Sequence, residues 1–151
     1  MAAMTAHFET TVTEMRLVVT TDDYDEALAF YRDVIGLSQL AVFESPRGRV
    51  TVLGAGRATL ELSDTANARY VDEVEVGRRV AGPIRVAFEV LDTEAMTRRA
   101  ELVGATVLAE PTPTPWGSLN ARLEAPAGLQ LTLFSGESDL ESTLDSPVDT
   151  P

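Results

Sequence analysis

Four charged residues lie within apolar, strand-like segments, where their side chains could do chemistry. Arg16, Glu61, Arg85 and Arg122 occur in the segments MRLVVTT, ATLELS, IRVAFEV and LNARLE. Side chains alternate between the two faces of a strand, so each of these residues points away from its larger apolar neighbours. A guanidinium can bind a carboxylate, a phosphate or a polarised carbonyl, and a carboxylate can act as a base or orient a ligand. The pattern predicts a binding face that contains all four residues, with Glu61 as the candidate catalytic group.

Two further carboxylates on this face allow two interpretations. Glu89 and Glu124 could join Glu61 in a carboxylate site. They could instead pair with the three arginines and neutralise a buried charge cluster. We favour the second interpretation, because unpaired buried carboxylates are costly.

Aromatic residues add a second kind of candidate ligand contact. Trp116 is the only tryptophan and lies in a proline-rich loop, residues 112–117. It could stack on a planar or cationic ligand, or it could anchor the loop against the sheet. Phe43 and Phe134 are open to the same two interpretations. We include Trp116 and Phe43 in the predicted ligand-binding set.

Composition excludes several kinds of chemistry and partner. The sequence has no cysteine, and all 12 of its basic residues are arginine, so thiol catalysis and lysine Schiff bases are excluded. The single histidine, His7, lies near the N-terminus, is expected to be solvated, and leaves no histidine for a Ser-His-Asp arrangement. The net charge of −12 disfavours nucleic acid and anionic membranes as partners. No secretory signal or apolar run long enough to span a membrane is evident, and we expect a cytoplasmic protein.

The elements that must position these residues form an internal repeat. A strand, a helix that ends at a glycine, and three strands occur twice, which predicts two modules over residues 15–63 and 84–134. The predicted strands span residues 15–21, 39–44, 50–53, 58–63, 84–90, 106–109, 119–124 and 129–134. The predicted helices span residues 24–36 and 93–103, after the caps Asp23 and Asp92. Residues 64–82 are expected to be a connector with about one helical turn.

The two ends of the chain are expected to lie outside this domain. Residues 1–14 are predicted to be an N-terminal extension, and residues 15–136 form the domain. Residues 137–151 carry acidic residues and prolines but no basic residue, which is typical of a disordered, solvated tail.

Three segments together resemble the vicinal-oxygen-chelate (glyoxalase/bleomycin-resistance/dioxygenase) superfamily. They are DEALAFYRDVIGLSQL, ELVGATVLAEPTPTPWG and APAGLQLTLFS. The resemblance implies an α+β fold in which two βαβββ modules form a curled mixed sheet around a cleft, with the helices outside. It also implies a small organic ligand and a homodimer, and it leaves open whether the modules pair within one chain or between chains.

The resemblance also implies where a metal would be held. Metal-dependent members of the superfamily use one ligand from each of four strands, and the matching positions here are Arg16, Glu61, Arg85 and Thr132. Only Glu61 keeps a ligand type, since a guanidinium has no lone pair to offer a cation. We therefore predict no metal and no other cofactor.

These observations lead to one favoured function and two alternatives. The favoured function is metal-independent binding of a small molecule, similar to sequestration by bleomycin-resistance proteins. The first alternative is an enzyme of the same fold, a lyase, isomerase or ring-cleaving dioxygenase, which uses Glu61 or a displaced metal site. The second is an accessory or regulatory domain that binds a metabolite or a protein partner through its acidic tail.

Overall fold

Short strands rich in β-branched and apolar residues account for most of the fold. The computed structural model describes residues 12–136. The strands are β1 (Val12–Thr21), β2 (Ser38–Ser45), β3 (Gly48–Ala55), β4 (Ala58–Asp64), β5 (Ile84–Val90), β6 (Thr106–Pro113), β7 (Leu119–Glu124) and β8 (Gln130–Ser135). The helices are α1 (Tyr24–Leu28), which continues as a π-helix (Ala29–Val34), α2 (Thr65–Glu75), α3 (Thr93–Leu102) and a short 3₁₀ turn (Pro126–Gly128).

All eight strands join one curled, open mixed sheet in the order β2-β3-β4-β1-β5-β8-β7-β6. Within each module the first and last strands pair in parallel, β1 with β4 and β5 with β8. The two modules meet where β1 and β5 pair antiparallel. The modules therefore pair within one chain, and the predicted α+β architecture of two βαβββ modules is confirmed.

The predicted caps fix the ends of the module helices. The Asp23 carboxylate accepts the backbone amide of Glu26, and the Asp92 carboxylate accepts that of Ala95 at 2.9 Å. Gly36 and Gly104 follow these helices with φ of 87° and 103°, a conformation that glycine adopts without strain. The first helix differs from the prediction only in its second half, which is a π-helix.

The apolar side of the sheet packs against α1 and α3. Tyr24 and Leu62 belong to the cluster under α1 and its π-helical continuation. Leu123 and Leu133 belong to the cluster under α3, together with Met96. Because these two helices cover one face of the sheet, the polar face is left for α2 and the cleft.

The connector between the modules differs most from the prediction. Residues 64–82 contain the three-turn helix α2, whose side-chain cap is Asp64, rather than about one turn. This helix lies on the cleft face, so the expectation that the helices lie outside holds only for α1 and α3. Its buried residues, Ala68, Asp72 and Glu75, have helical spacing but are mostly acidic. The segment therefore lacks the apolar periodicity by which an amphipathic helix is predicted.

The predicted ends need one correction. Strand β1 begins at Val12, so the predicted extension 1–14 overlaps it. His7 and the predicted tail 137–151 lie outside the described residues. No helix within residues 12–136 is long and apolar enough to cross a membrane.

Candidate functional site

A cavity of about 270 Å³ lies between the polar face of the sheet and helix α2. The loop that carries Trp116 and the β2–β3 hairpin complete its walls. Its lining includes five of the six predicted ligand-binding residues: Arg16, Phe43, Glu61, Arg85 and Trp116. The structure thus brings these five side chains together, and their contact with a ligand stays a prediction.

Glu61 and Arg85 lie in one row across the sheet. Val18 of β1 is in register with Glu61 of β4 on one side and with Arg85 of β5 on the other. Because neighbouring strands lie about 4.8 Å apart, the Cα atoms of Glu61 and Arg85 are separated by about 10 Å. Val18 forms a small buried cluster with Ala87 and Phe134, and the last two line the cavity. The row therefore places a carboxylate and a guanidinium on either side of the buried Val18.

Arg16 already has a counter-ion. Its Nε and Nη2 donate to the two carboxylate oxygens of Glu14 at 2.8 and 2.9 Å, and its guanidinium lies 5.3 Å from the ring centre of Phe134. Burial lowers the pKa of Arg16, but the hydrogen bond with Glu14 and the nearby Glu61 outweigh burial, so the pKa lies above its ordinary value. The charge of Arg16 is largely neutralised by the protein itself.

Arg85 lacks such a counter-ion. Its Nη1 donates to the Thr132 hydroxyl at 2.8 Å, and within residues 12–136 it forms no ion pair. Burial lowers the pKa of Arg85 below its ordinary value, and Glu75 and Glu61 counteract this only from a distance. No fully buried side-chain nitrogen or oxygen among the described residues lacks a partner, so the remaining donors of Arg85 are not sealed in the protein. The guanidinium is held by Thr132 and available to an anion.

Glu61 is the matching available acid. Within the described part of the chain its carboxylate makes no hydrogen bond or ion pair, and it lines the cavity. Its oxygens lie more than 4.0 Å from the Arg85 guanidinium, since the two form no ion pair. The cavity thus holds two opposite charges that do not neutralise each other by contact.

Arg122 does not line the cavity, which corrects its predicted place among the ligand-binding residues. Its side chain is 0% exposed, and it donates to Asp72 at 2.9 Å and to Glu75 at 2.5 Å. Glu75 also accepts the Asn120 amide at 2.6 Å. With two carboxylates already bound, Arg122 fixes α2 to the sheet and cannot fork onto a ligand.

Two of the three arginines on this face are paired, but their partners differ from those expected. Arg122 pairs with acids from α2, and Arg16 pairs with Glu14 of its own strand. Glu124 is exposed at the end of β7, and Glu89 lies within electrostatic range of Arg16. The favoured interpretation is therefore wrong for Arg122, whose acids come from α2, and for Arg85, which forms no ion pair within residues 12–136.

An aromatic wall closes one side of the cavity. The rings of Trp116 and Tyr70 meet edge to face, with centroids 6.0 Å apart at 68°. Arg47 covers the Tyr70 ring, with its guanidinium carbon 4.5 Å from the centroid. Trp116 therefore packs against Tyr70 of α2 and lines the cavity, and its predicted stacking on a ligand stays a prediction. Tyr70 was missed because α2 was not predicted.

Comparison with known proteins bears on this arrangement. A model of the Glyoxalase/Bleomycin resistance protein/Dioxygenase superfamily matches residues 12–133. The chain belongs to this superfamily. No curated protein sequence matches the chain.

Solved structures share the superfamily fold at low sequence identity. A methylmalonyl-CoA epimerase from Mycobacterium tuberculosis is 18% identical with a TM-score of 0.62, and the match covers 89% of this chain and 95% of the epimerase. The epimerase from Streptomyces coelicolor in complex with 2-nitronate-propionyl-CoA is 20% identical with a TM-score of 0.61, over 84% and 99% of the two chains. A superfamily member from Vibrio splendidus 12B01 is 13% identical with a TM-score of 0.58, over 81% and 97%. At these identities the likeness concerns the fold.

The four positions that the resemblance matches to metal ligands converge on the cavity. They carry Arg16, Glu61, Arg85 and Thr132, all of which line it. Two of these positions are bonded to each other through the Arg85–Thr132 hydrogen bond. Among residues 12–136, no group of three or more histidine, cysteine, aspartate or glutamate side chains could hold an ion. The residues present do not fit the metal of the superfamily.

Proposed function

We propose that this superfamily member binds a small organic molecule in the cavity between its sheet and α2, and that binding requires no metal. The observation that carries the proposal is Arg85, a cation without an ion-pair partner among the described residues, at a position where relatives place a metal ligand. A guanidinium binds anionic or carbonyl groups directly, through donors of fixed geometry. Sequestration of a ligand, as in bleomycin-resistance proteins, is the form of this function that we favour.

The shape and lining of the cavity support the same proposal. Its volume of about 270 Å³ lies just below the range of about 300–1,000 Å³ usual for ligand pockets, so it suits a ligand smaller than a typical drug molecule. About half of the lining residues are polar or charged, and the others include the aromatic side chains of Trp116 and Phe43. Such a lining suits a small, partly planar ligand.

Metal content and Trp116 fluorescence test this function together. The protein is purified without chelator, its metal is measured, and a panel of small aromatic acids is then titrated in the presence of chelator. We expect well under one equivalent of metal and saturable quenching of Trp116, the only tryptophan. Binding that appears only after metal is added, and that Glu61→Ala abolishes, would contradict the proposal.

Glu61 favours one second candidate, an enzyme that moves a proton next to a carbonyl group. Its carboxylate faces the cavity without a bond to any described residue, and Arg85 could polarise a carbonyl nearby. Several proteins of the same fold are named methylmalonyl-CoA epimerases, so methylmalonyl-CoA is a suitable first substrate. Deuterium uptake from heavy water into that compound, lost in Glu61→Gln, would support the enzyme; its absence leaves the binding function preferred.

Assembly and location belong to the same proposal. We propose a homodimer, supported by exposed apolar residues on the helix side of the two central strands: Met15 (49% exposed), Leu17 (38%) and Ile84 (53%). The cytoplasm remains the proposed compartment, on the evidence of the sequence alone.

A further inference from the structure

The cavity contains two opposite charges that the described residues leave without contact partners. Arg85 donates to a neutral hydroxyl, and Glu61 makes no hydrogen bond or ion pair within residues 12–136. Of the other charged side chains in the lining, Arg16 pairs with Glu14 and Glu75 pairs with Arg122, whereas Glu44 is exposed to solvent. A charge held in a partly apolar cavity is stabilised by an oppositely charged group at hydrogen-bond distance. A ligand group of opposite charge would therefore be stabilised at each of these two side chains.

The geometry sets how far apart these ends must be. Glu61 and Arg85 are two strands apart in one row, about 10 Å between Cα atoms, and their side chains rise from the same face. Between them lies the apolar cluster of Val18, Ala87 and Phe134, of which Ala87 and Phe134 line the cavity, and the paired guanidinium of Arg16 lies over the Phe134 ring. A ligand that spans the row needs a nonpolar body with a charged group at each end.

We propose that the cavity selects a small zwitterion whose carboxylate binds Arg85, whose ammonium group binds Glu61, and whose apolar body crosses the floor beside Trp116. This inference rests on the proposed function and names the class of its ligand. A plain acid would satisfy Arg85 but would face the negative charge of Glu61. A plain amine would satisfy Glu61 but would meet Arg85 and leave it unpaired. Only a molecule with both groups matches both side chains.

Three matched compounds of nearly equal size test the inference. They are 4-(aminomethyl)benzoate, which is a zwitterion, 4-methylbenzoate, which keeps only the acid, and 4-methylbenzylamine, which keeps only the amine. Binding is measured by Trp116 quenching and by calorimetry, at neutral pH and with chelator present. We expect the zwitterion to bind at least about tenfold more tightly than either single-charge compound, since one charge-assisted hydrogen bond contributes about that factor.

Substitutions at the two charges separate their contributions. Glu61→Gln should weaken the zwitterion about tenfold and leave 4-methylbenzoate equal or slightly tighter, because a repulsive charge is removed. Arg85→Gln should weaken both carboxylates, while Arg85→Lys, which keeps the charge, should retain part of the affinity. Arg98→Gln and Glu101→Gln, on the exposed side of α3, are matched controls and should change nothing. Circular dichroism of each variant verifies that it is folded.

The outcomes distinguish this inference from the proposed function. Equal affinity for the zwitterion and 4-methylbenzoate, unchanged by Glu61→Gln, would overturn the zwitterion and leave metal-independent binding intact. No binding of the zwitterion to the folded, chelated protein up to its solubility limit would also overturn the zwitterion. Binding that depends on added metal would overturn the proposed function itself.

Discussion

Arg122 and Arg85 lie on the same side of the sheet but have opposite surroundings. Arg122 is enclosed by Asp72 and Glu75, whose side chains are 1% and 2% exposed, whereas Arg85 meets only a hydroxyl. A buried ion pair adds little beyond what well-packed apolar residues would provide, but removal of one partner leaves an uncompensated charge. Arg122 therefore stabilises the fold, whereas the Arg85 guanidinium is available to bind a ligand.

Arg122→Met should be among the most destabilising single changes in this chain. Glu75 would lose its cation and Asp72 one of its two, since Asp72 also pairs with Arg79, so we expect the free energy of unfolding to fall by about 3–5 kcal/mol. Urea denaturation followed by circular dichroism measures the change. Arg98→Met, at an exposed position of α3, is the control and should alter stability by less than about 0.5 kcal/mol. Similar values for the two variants would contradict the structural role of Arg122.

Asp72 should make the stability depend on pH in the acid range. Burial raises its pKa, but hydrogen bonds from the Ala81 and Val80 amides and from Arg122 outweigh burial, and the pKa lies below its ordinary value. A carboxyl with a lowered pKa contributes stability above its unfolded-state pKa and loses it as the pH falls through the folded-state pKa. We therefore expect stability to decline below about pH 4.

The variant Asp72→Asn checks this assignment. It should be less stable than the native protein at neutral pH, and its stability should decline less between about pH 4 and pH 2. Urea titrations at several pH values give both curves. Parallel curves would show that Asp72 is not the group responsible.

Helix α2 is the element on which the cavity depends most. It supplies Tyr70 and Glu75 to the lining and is fixed at one end by Arg122. At its other end the β2–β3 hairpin lies very close to the helix. Gly48 contacts the backbone of Asn67 in the first turn, and this approach leaves no room for a Cβ atom. The position of α2, and with it the shape of the cavity, is set by contacts at both ends.

Gly48→Ala should displace α2 from the hairpin. A Cβ at this position would lie 2.3 Å from the Asn67 backbone nitrogen, and the φ of 129° is itself unfavourable for alanine. We expect a loss of more than about 2 kcal/mol in stability and a changed emission of Trp116, which packs on Tyr70. Gly56→Ala is the control, since its φ is 64° but no atom lies within 4 Å of the added Cβ. Equal effects of the two substitutions would show that only backbone strain matters.

The two modules are joined within the sheet through one pair of strands, β1 and β5. Leu17 of β1 is in register with Val86 of β5, and Val19 with Ile84, on the face that α1 and α3 cover only at its sides. The middle of this face leaves Met15, Leu17 and Ile84 exposed. A second copy of the chain would bury these residues.

Leu17→Glu should therefore convert the proposed dimer into a monomer. Light scattering coupled to size-exclusion chromatography measures the mass of each variant. Val103→Glu, at a residue 84% exposed at the end of α3, is the control and should leave the mass unchanged. A native protein that is already monomeric at high concentration would contradict the dimer.

The sequence predicted the module order and five cavity-lining residues because strand alternation and glycine stops are local signals. Arg16, Glu61 and Arg85 each reverse the polarity of an otherwise apolar strand, and Asp23 and Asp92 begin helices where capping rules place them. Helix α2 was not predicted because its buried face is mostly acidic. An acidic face can be predicted to be buried only when the cation that pairs with it is known. For the same reason Arg122 was assigned to the ligand, since its partners were 47 and 50 residues away.

Helix α2 breaks the approximate symmetry of the site. The two modules repeat the same strands and helix about an approximate twofold axis between β1 and β5, so the bare sheet would offer nearly equivalent directions to a ligand. The connector helix occurs once, and it covers the sheet in a single orientation. It thereby removes the equivalence and gives the cavity two unlike ends. An asymmetric ligand should therefore bind in one orientation in preference to the reverse.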